Sequence, residues 1–102
     1  MMPKLTAEVV IQMVGGYYGL SVEEMKRQSN TARIAFPRQV AMYLIRELTA
    51  LPYPRIGRVF GGKHHTTVLY AMEKISERRQ KNPALDQLLH DFATKLRESY
   101  EC

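Results

Sequence analysis

A short polar segment that follows two glycines carries the side chains best suited to contact a nucleic acid. The segment consists of Lys63, His64, His65, Thr66 and Thr67, and it comes directly after Gly61 and Gly62. Lysine and threonine can donate hydrogen bonds to bases and phosphates, and a threonine methyl group can contact the methyl group of thymine. These side chains can therefore read base edges in the major groove, provided that the segment begins a helix.

Two helices separated by Gly61 and Gly62 would position this segment. We predict the first helix over residues 54–60, because proline is tolerated at the first position of a helix, and the second from about residue 63 or 64 to residue 80. Glycine suits the left-handed conformation that ends a helix. The lengths of both helices and the composition of the turn match a helix-turn-helix, which places the start of its second helix in the major groove.

Capping residues and apolar spacing predict two helices at the beginning of the chain. The first begins near Thr6 and is weakened and ended by the glycines at positions 15, 16 and 19. The second runs from the capping-box pattern of Ser21 and Glu24 to about Gln28. Residues 29–35 show no apolar period, so we predict a loop there.

A third helix, which we expect Pro37 to open, has two different faces. The face expected to lie against the core is formed by Val40, Ala41, Leu44, Ile45 and Leu48. The opposite face is formed by Arg38, Gln39, Met42 and Arg46. We predict that this second face is an outward basic stripe.

A last helix completes the prediction of an all-α fold. Asn82 and Pro83 cap and open it, and its apolar side chains form one inward stripe that ends at Leu96. No segment shows the alternation of a strand, and no repeat, low-complexity tract or linker divides the chain. We therefore predict six helices in a single domain over residues 1–102, with its core at about residues 6–97.

Positive charge is concentrated in the middle of the chain. The net charge is +5, but residues 26–81 contain twelve Lys and Arg against three acidic residues, whereas the flanks contain three Lys and Arg against seven acidic residues. Such segregation is typical of nucleic-acid binding, although cations also solubilise exposed helix faces. Lys63 and Arg38 stand at predicted helix starts, where the helix dipole favours an anion such as phosphate.

Length and composition exclude several other classes of protein. A chain of 102 residues has room for one core but not for an additional catalytic domain. No apolar run approaches the roughly 20 residues of a membrane span. The single Cys102 allows no internal disulfide, which favours a reducing compartment. We expect a soluble, cytoplasmic protein.

Catalytic and metal-binding patterns are absent from the sequence. Adjacent side chains such as those of His64 and His65 point about 100° apart on a helix, and no Cys or carboxylate accompanies them or His90 at ligand spacing. The sequence around Gly62 and Lys63 lacks the spacing of a phosphate-binding loop and a preceding strand. We expect neither enzymatic activity nor a metal or cofactor.

Three segments of the chain, in the same order, resemble the C-terminal DNA-binding domain of the bacterial chromosomal replication initiator DnaA. They are FGGKHHTTVLYA at residues 60–71, PRQVAMYLIRELT at 37–49 and YYGLSVEEM at 17–25. The resemblance covers residues 6 to about 97. It implies a helical fold like that of the tryptophan repressor, and specific binding to the short asymmetric boxes of a replication origin.

The resemblance also implies roles for individual residues. Matched by motif position, His65 and Thr66 are expected to contact bases in the major groove, with His64 in the same row. Contacts with the DNA backbone are implied for Lys63, Thr67, Arg38, Gln39, Arg46 and Pro54.

The chain departs from the family's pattern at two places. The loop before the third helix is usually rich in arginine and inserts one into the minor groove, but here it reads SNTARIA, with Asn30 at the matching position. Arg33 or Arg27 would have to substitute, and Arg33 is the better placed. His64 stands where the family typically has Asp, so an acceptor is replaced by a side chain with one donor and one acceptor. The resemblance therefore does not imply the box sequence of the family for this chain.

Two other functions fit the sequence besides origin recognition. One is a stand-alone phage or mobile-element regulator with altered box specificity, and the other is a protein-interaction domain that has lost DNA binding. In the second, the acidic flanks and the last helix would dock a partner such as a regulatory protein. Salt-sensitive binding to duplex DNA would distinguish it from a DNA-binding domain. Because one core uses all the apolar stripes, we expect a monomer that binds duplex DNA and resides on the nucleoid.

Overall fold

Six α-helices make up most of the computed structural model, which describes residues 1–102. They are α1 (Ala7–Tyr18), α2 (Val22–Met25), α3 (Ala32–Thr49), α4 (Tyr53–Val59), α5 (His65–Lys81) and α6 (Pro83–Ser99). No strand is formed, and the two ends of the chain meet in an isolated parallel bridge between Lys4 and Glu101. The prediction of an all-α fold with six helices is confirmed. None of the helices combines the length and apolar character that crossing a bilayer requires.

Helix α3 lies at the centre of the fold and packs against each of the other five helices. Its side chains at Val40, Ala41 and Ile45 are completely buried. They belong to one continuous core of 24 buried hydrophobic residues to which all six helices contribute. Because α4 and α5 both pack on α3 and on each other, the turn between them is held on a rigid support.

Most helix ends coincide with the predicted caps. Ser21 and Glu24 form a complete capping box, and the Asn82 side chain accepts a hydrogen bond from the backbone at the start of α6. Helix α1 continues through the glycines at 15 and 16 and ends at Gly19, whose φ of 72° is left-handed. Helix α2 ends at Met25 and is therefore shorter than predicted.

The prediction for the start of α3 was wrong. The helix begins at Ala32, so Pro37 lies in its second turn instead of opening it, and residues 32–35 are helical instead of a loop. Ile34 explains the additional turn, because its side chain is buried in the core and its amide N–H donates to the Thr31 carbonyl at 3.0 Å. A single buried isoleucine produces no periodic pattern in the sequence. Its burial nevertheless stabilises the folded protein once the helix extends to it.

Candidate nucleic-acid interface

The turn between α4 and α5 contains two left-handed glycines. The φ angles of Gly61 and Gly62 are 85° and 84°, a region that side chains of L-residues rarely adopt. Phe60 precedes them and is completely buried, so it anchors the end of α4 in the core. The two helices and the turn form the predicted helix-turn-helix.

Gly57, in the middle of α4, allows the turn to fold back against that helix. The amide N–H of Lys63 donates to the Gly57 carbonyl at 2.8 Å. A Cβ atom at position 57 would lie only 2.1 Å from the Lys63 carbonyl oxygen, which is well inside van der Waals contact. Gly57 sets the position of the start of α5, and the sequence analysis missed this role. Its only signal in the sequence is a third glycine close to the Gly61 and Gly62 pair.

His64 is the N-cap of α5, and the first helical residue is His65. The Nδ1 atom of His64 accepts a hydrogen bond from the Thr66 amide N–H at 3.2 Å, and it lies 2.8 Å from the Thr66 hydroxyl oxygen. The ring thereby satisfies a donor that the first turn of a helix leaves free, as Asn, Asp or Ser usually does. The first turn of α5 contains no acidic residue.

The predicted base-reading side chains share one solvent-exposed end of α5. His64, His65, Thr66 and Thr67 are all exposed, whereas the next residue, Val68, is completely buried. The imidazole rings of His64 and His65 lie against each other, with centroids 4.2 Å apart and planes tilted by 34°. These four side chains are therefore free to contact a ligand on a helix that the core holds in place.

Two exposed apolar side chains on α5 were not singled out from the sequence. Tyr70 is 54% exposed and Leu69 is 40% exposed. Tyr70 lies one turn beyond Thr66 on the same helix face, and the Nζ atom of Lys74 lies 6.0 Å from the centroid of its ring. The polar face that begins at the N-terminus of α5 thus continues with an aromatic and a cationic side chain.

Lys63 occupies a more enclosed position than the sequence suggested. Its ammonium group donates to the Phe60 carbonyl at 2.7 Å and to the Lys26 carbonyl at 3.1 Å. Burial, together with the positive charge of nearby Arg38, lowers the pKa of Lys63. Lys63 therefore ties the turn to the end of α2 and keeps one of its three donors for another partner.

Arg38 does not lie on an outward stripe, and that prediction was wrong. The residue is only 6% exposed, and its guanidinium group donates to the carbonyls of Arg27 and Ser29, each at 2.9 Å. Its pKa is lowered by burial. The loop between α2 and α3 folds over the guanidinium group because its carbonyls have no helical partners, and the planar fork of arginine can satisfy two of them. Met42, assigned to the same stripe, is completely buried.

The other predicted backbone-contacting residues lie along α3 and at the start of α4. The Arg46 guanidinium group donates to the Leu51 carbonyl at 2.9 Å and stacks 5.0 Å from the ring centroid of Tyr53. Arg46 therefore supports the loop between α3 and α4 and is half-buried. Gln39 is also half-buried, whereas Pro54 is exposed in the first turn of α4.

A polar cleft of about 240 Å³ joins the turn to the loop between α2 and α3. It is lined by Gln28, Asn30, Arg38, Gly62, Lys63, His64 and Thr67, none of which is hydrophobic. The cleft brings together four of the predicted DNA-contacting residues, namely Arg38, Lys63, His64 and Thr67. Gln39, Arg46 and Pro54 are not part of its lining, whereas Gln28 and Asn30 are additions that the sequence analysis did not assign to DNA.

Arg27 and Arg33, the candidates for a minor-groove contact, are both exposed. Arg33 lies in the first turn of α3, and its Nη2 atom is 3.5 Å from the Glu24 carboxylate. Such a long, exposed pair is weak, so Arg33 can exchange Glu24 for another anion at little cost. Arg27 donates no side-chain hydrogen bond, although its carbonyl holds Arg38. The structure leaves both side chains available.

The glycine turn presents an exposed, polar helix start, and partly buried cations lie beside it. This arrangement is that of a helix-turn-helix DNA-binding domain. Residues 7–75 match the family described as "Bacterial dnaA protein helix-turn-helix". This match extends over more than half of the chain, and the chain belongs to that family. The resemblance found in the sequence is thereby confirmed.

A solved structure agrees with the family assignment. The fold is similar to that of a chain titled "Crystal structure of DNA replication initiation factor", with a TM-score of 0.79 and 26% sequence identity. The similarity covers 87% of this chain but 27% of the solved one, so the present chain spans about a quarter of the length of that protein. The chain is a helix-turn-helix domain of the type found in replication initiation.

Proposed function

We propose that the protein binds duplex DNA at a short asymmetric site resembling a DnaA box, as a monomer, in the initiation or regulation of DNA replication. One observation carries the proposal. His64, His65, Thr66 and Thr67 are exposed at the start of α5, and the buried side chains of the same helix hold it against the core. A helix start of this kind fits the width of the major groove and meets the base edges there.

The electrostatics of the polar cleft support binding to a phosphate beside that row. Lys63 and Arg38 are partly or fully buried close to each other, and the charge of Arg38 lowers the pKa of Lys63. No acidic residue lines the cleft, and none occurs in the first turn of α5. A phosphate would relieve the repulsion between the two cations and would also interact favourably with the helix dipole.

Titration of fluorescent duplexes with the protein at several salt concentrations tests the proposal. Five cations are proposed to contact the DNA backbone or the minor groove: Arg27, Arg33, Arg38, Arg46 and Lys63. If about five phosphates are contacted, the logarithm of the affinity should fall against the logarithm of salt concentration with a slope of about −4 to −5. An affinity that does not depend on salt, or no binding above background to any duplex, would contradict the proposal.

The proposed interface also supports a proposal for the oligomeric state. We expect a monomer on an asymmetric site, because a single helix-turn-helix contacts one half-site without a two-fold relation. Sedimentation of the complex should give one protein per duplex. We also expect the protein to reside on the nucleoid through its DNA contacts, to contact a regulatory protein and to have no catalytic activity.

A further inference from the structure

The hydrogen bonds at the start of α5 fix the proton on the ring of His64. The Thr66 amide N–H donates to Nδ1, so Nδ1 must carry a lone pair and cannot carry a proton. The Thr66 hydroxyl oxygen lies 2.8 Å from the same nitrogen, and with Nδ1 unprotonated the hydroxyl and the amide N–H share its single lone pair. A neutral imidazole with an unprotonated Nδ1 carries its hydrogen on Nε2. The only acceptor of the ring is therefore used inside the protein.

The remaining donor of His64 is presented to solvent. The ring is exposed, and it is held from one side by the ring of His65 at 4.2 Å. The hydrogen bond between Nδ1 and the Thr66 amide also restricts the ring. Because both contacts restrict the ring before any ligand binds, the Nε2–H group is a prepositioned donor and its hydrogen bond loses little conformational entropy on forming.

We propose that His64 is a specificity-determining residue that reads its base only as a hydrogen-bond donor. This inference rests on the proposed function and specifies the base chemistry of that site. In the major groove, guanine offers O6 and N7, adenine offers N7 and thymine offers O4, whereas cytosine offers only its amino group. His64 therefore accepts guanine, adenine or thymine at the contacted base and excludes cytosine.

The aspartate that is typical of the family at this position would have the opposite preference. A carboxylate can also cap the helix, but its free oxygen only accepts, so it selects the amino group of cytosine or adenine. The exchange of Asp for His thus keeps the N-cap and reverses the polarity of base recognition. The protein should therefore exclude cytosine at this base, whereas an aspartate would accept it.

The matched variants His64→Asn and His64→Asp separate the cap from the donor. Asn and Asp have the same shape and both are strong N-caps, but only Asn retains N–H donors. Duplexes are selected from a random pool with the wild-type protein and with each variant. We expect the wild type and His64→Asn to exclude cytosine at one base, and His64→Asp to accept cytosine or adenine there. The preference for cytosine over guanine at that base should rise about five- to a hundredfold in His64→Asp.

Nitrogen-15 spectra of the imidazole rings test the origin of the preference in the free protein. We expect the signal of a protonated Nε2 and an unprotonated Nδ1 for His64. A protonated Nδ1, or the same base preference for Asn and Asp at position 64, would overturn this inference while leaving DNA binding intact. Failure of every form of the protein to enrich any duplex would instead contradict the proposed function on which the inference rests, and would remove it as well.

Discussion

Gly57 and Lys63 pack so closely across the turn that position 57 has no room for a side chain. A Cβ atom would lie 2.1 Å from the carbonyl oxygen of Lys63 and 3.1 Å from its carbonyl carbon. Both atoms belong to the backbone and cannot rotate away. The turn leads directly into His64, so the position of the proposed base-reading side chains at the start of α5 depends on this contact.

Gly57→Ala should therefore displace the start of α5. We expect the free energy of unfolding to fall by about 1–3 kcal/mol, since overpacking outweighs the higher helix propensity of alanine. Affinity for the specific duplex should fall about tenfold, with a smaller loss for random duplexes. Chemical denaturation and binding titrations measure the two effects. Gly16→Ala is the matched control, because a Cβ there meets no atom within 4 Å, and it should stabilise the helix by about 0.5–1 kcal/mol. Equal behaviour of the two variants would contradict this account.

Arg38→Ala should destabilise the protein. The substitution leaves the Ser29 carbonyl without its donor and the Arg27 carbonyl with only the Ser29 amide N–H, in a partly buried loop, which costs about 1–3 kcal/mol. Arg33→Ala removes an exposed arginine of the same region and should change the midpoint of thermal unfolding little. Both variants should bind DNA more weakly, but only Arg38→Ala should lose stability. An Arg38→Ala protein as stable as the wild type would show that the guanidinium group does not hold the loop.

Ala50→Gly should stabilise the protein. Ala50 ends α3 with a φ of 57°, and it is the one residue other than glycine with a positive φ. Relief of the left-handed strain exceeds the additional unfolded-state entropy of glycine by a few tenths to about 1 kcal/mol. Gly19→Ala is the reverse experiment, because Gly19 ends α1 with a φ of 72° and its substitution should cost about 1 kcal/mol. Urea denaturation should show a higher free energy of unfolding for Ala50→Gly and a lower one for Gly19→Ala. Changes of the same sign in both variants would exclude this explanation.

Glu24 should contribute to the loss of stability in acid. The backbone N–H of Ser21 donates to the Glu24 carboxylate. This hydrogen bond, together with the charge of Arg33, holds the pKa of Glu24 below 4.5. Its contribution is therefore complete above pH 4.5 and is lost as the pH falls through the lower pKa of the folded state. Glu24→Gln keeps the capping box without a titrating group. The decline of the unfolding midpoint from pH 7 to acid should be smaller for this variant, and an identical decline would show that Glu24 has no part in it.

Local signals in the sequence predicted most helix ends and the glycine turn before α5. The Ser21 and Glu24 box, the Asn82 cap and the Gly61 and Gly62 pair act within a few residues of themselves, so their effects can be read without knowledge of the fold. The row at the start of α5 follows from the position of that turn.

Contacts between distant segments could not be predicted in the same way. Helical spacing correctly places Arg38 opposite Val40, but it does not show that a loop from another part of the chain covers the guanidinium group. The packing of Gly57 against the Lys63 backbone and the fixed proton of His64 likewise depend on the folded turn. The sequence therefore indicates which side chains reach the interface, whereas the fold determines which of their polar atoms remain free.

The central claim is that the start of α5 reads bases. Selection of duplexes from a random pool tests this claim most directly. The selection is carried out with the wild-type protein and with the variants His65→Ala and Thr66→Ala. The wild type should enrich one asymmetric sequence and bind it at least about a thousandfold more tightly than random duplexes. Each substitution should reduce that ratio by about five- to a hundredfold and relax the preference at a particular base pair, with little change in nonspecific affinity. An unchanged preference profile in both variants would show that this helix does not read the sequence.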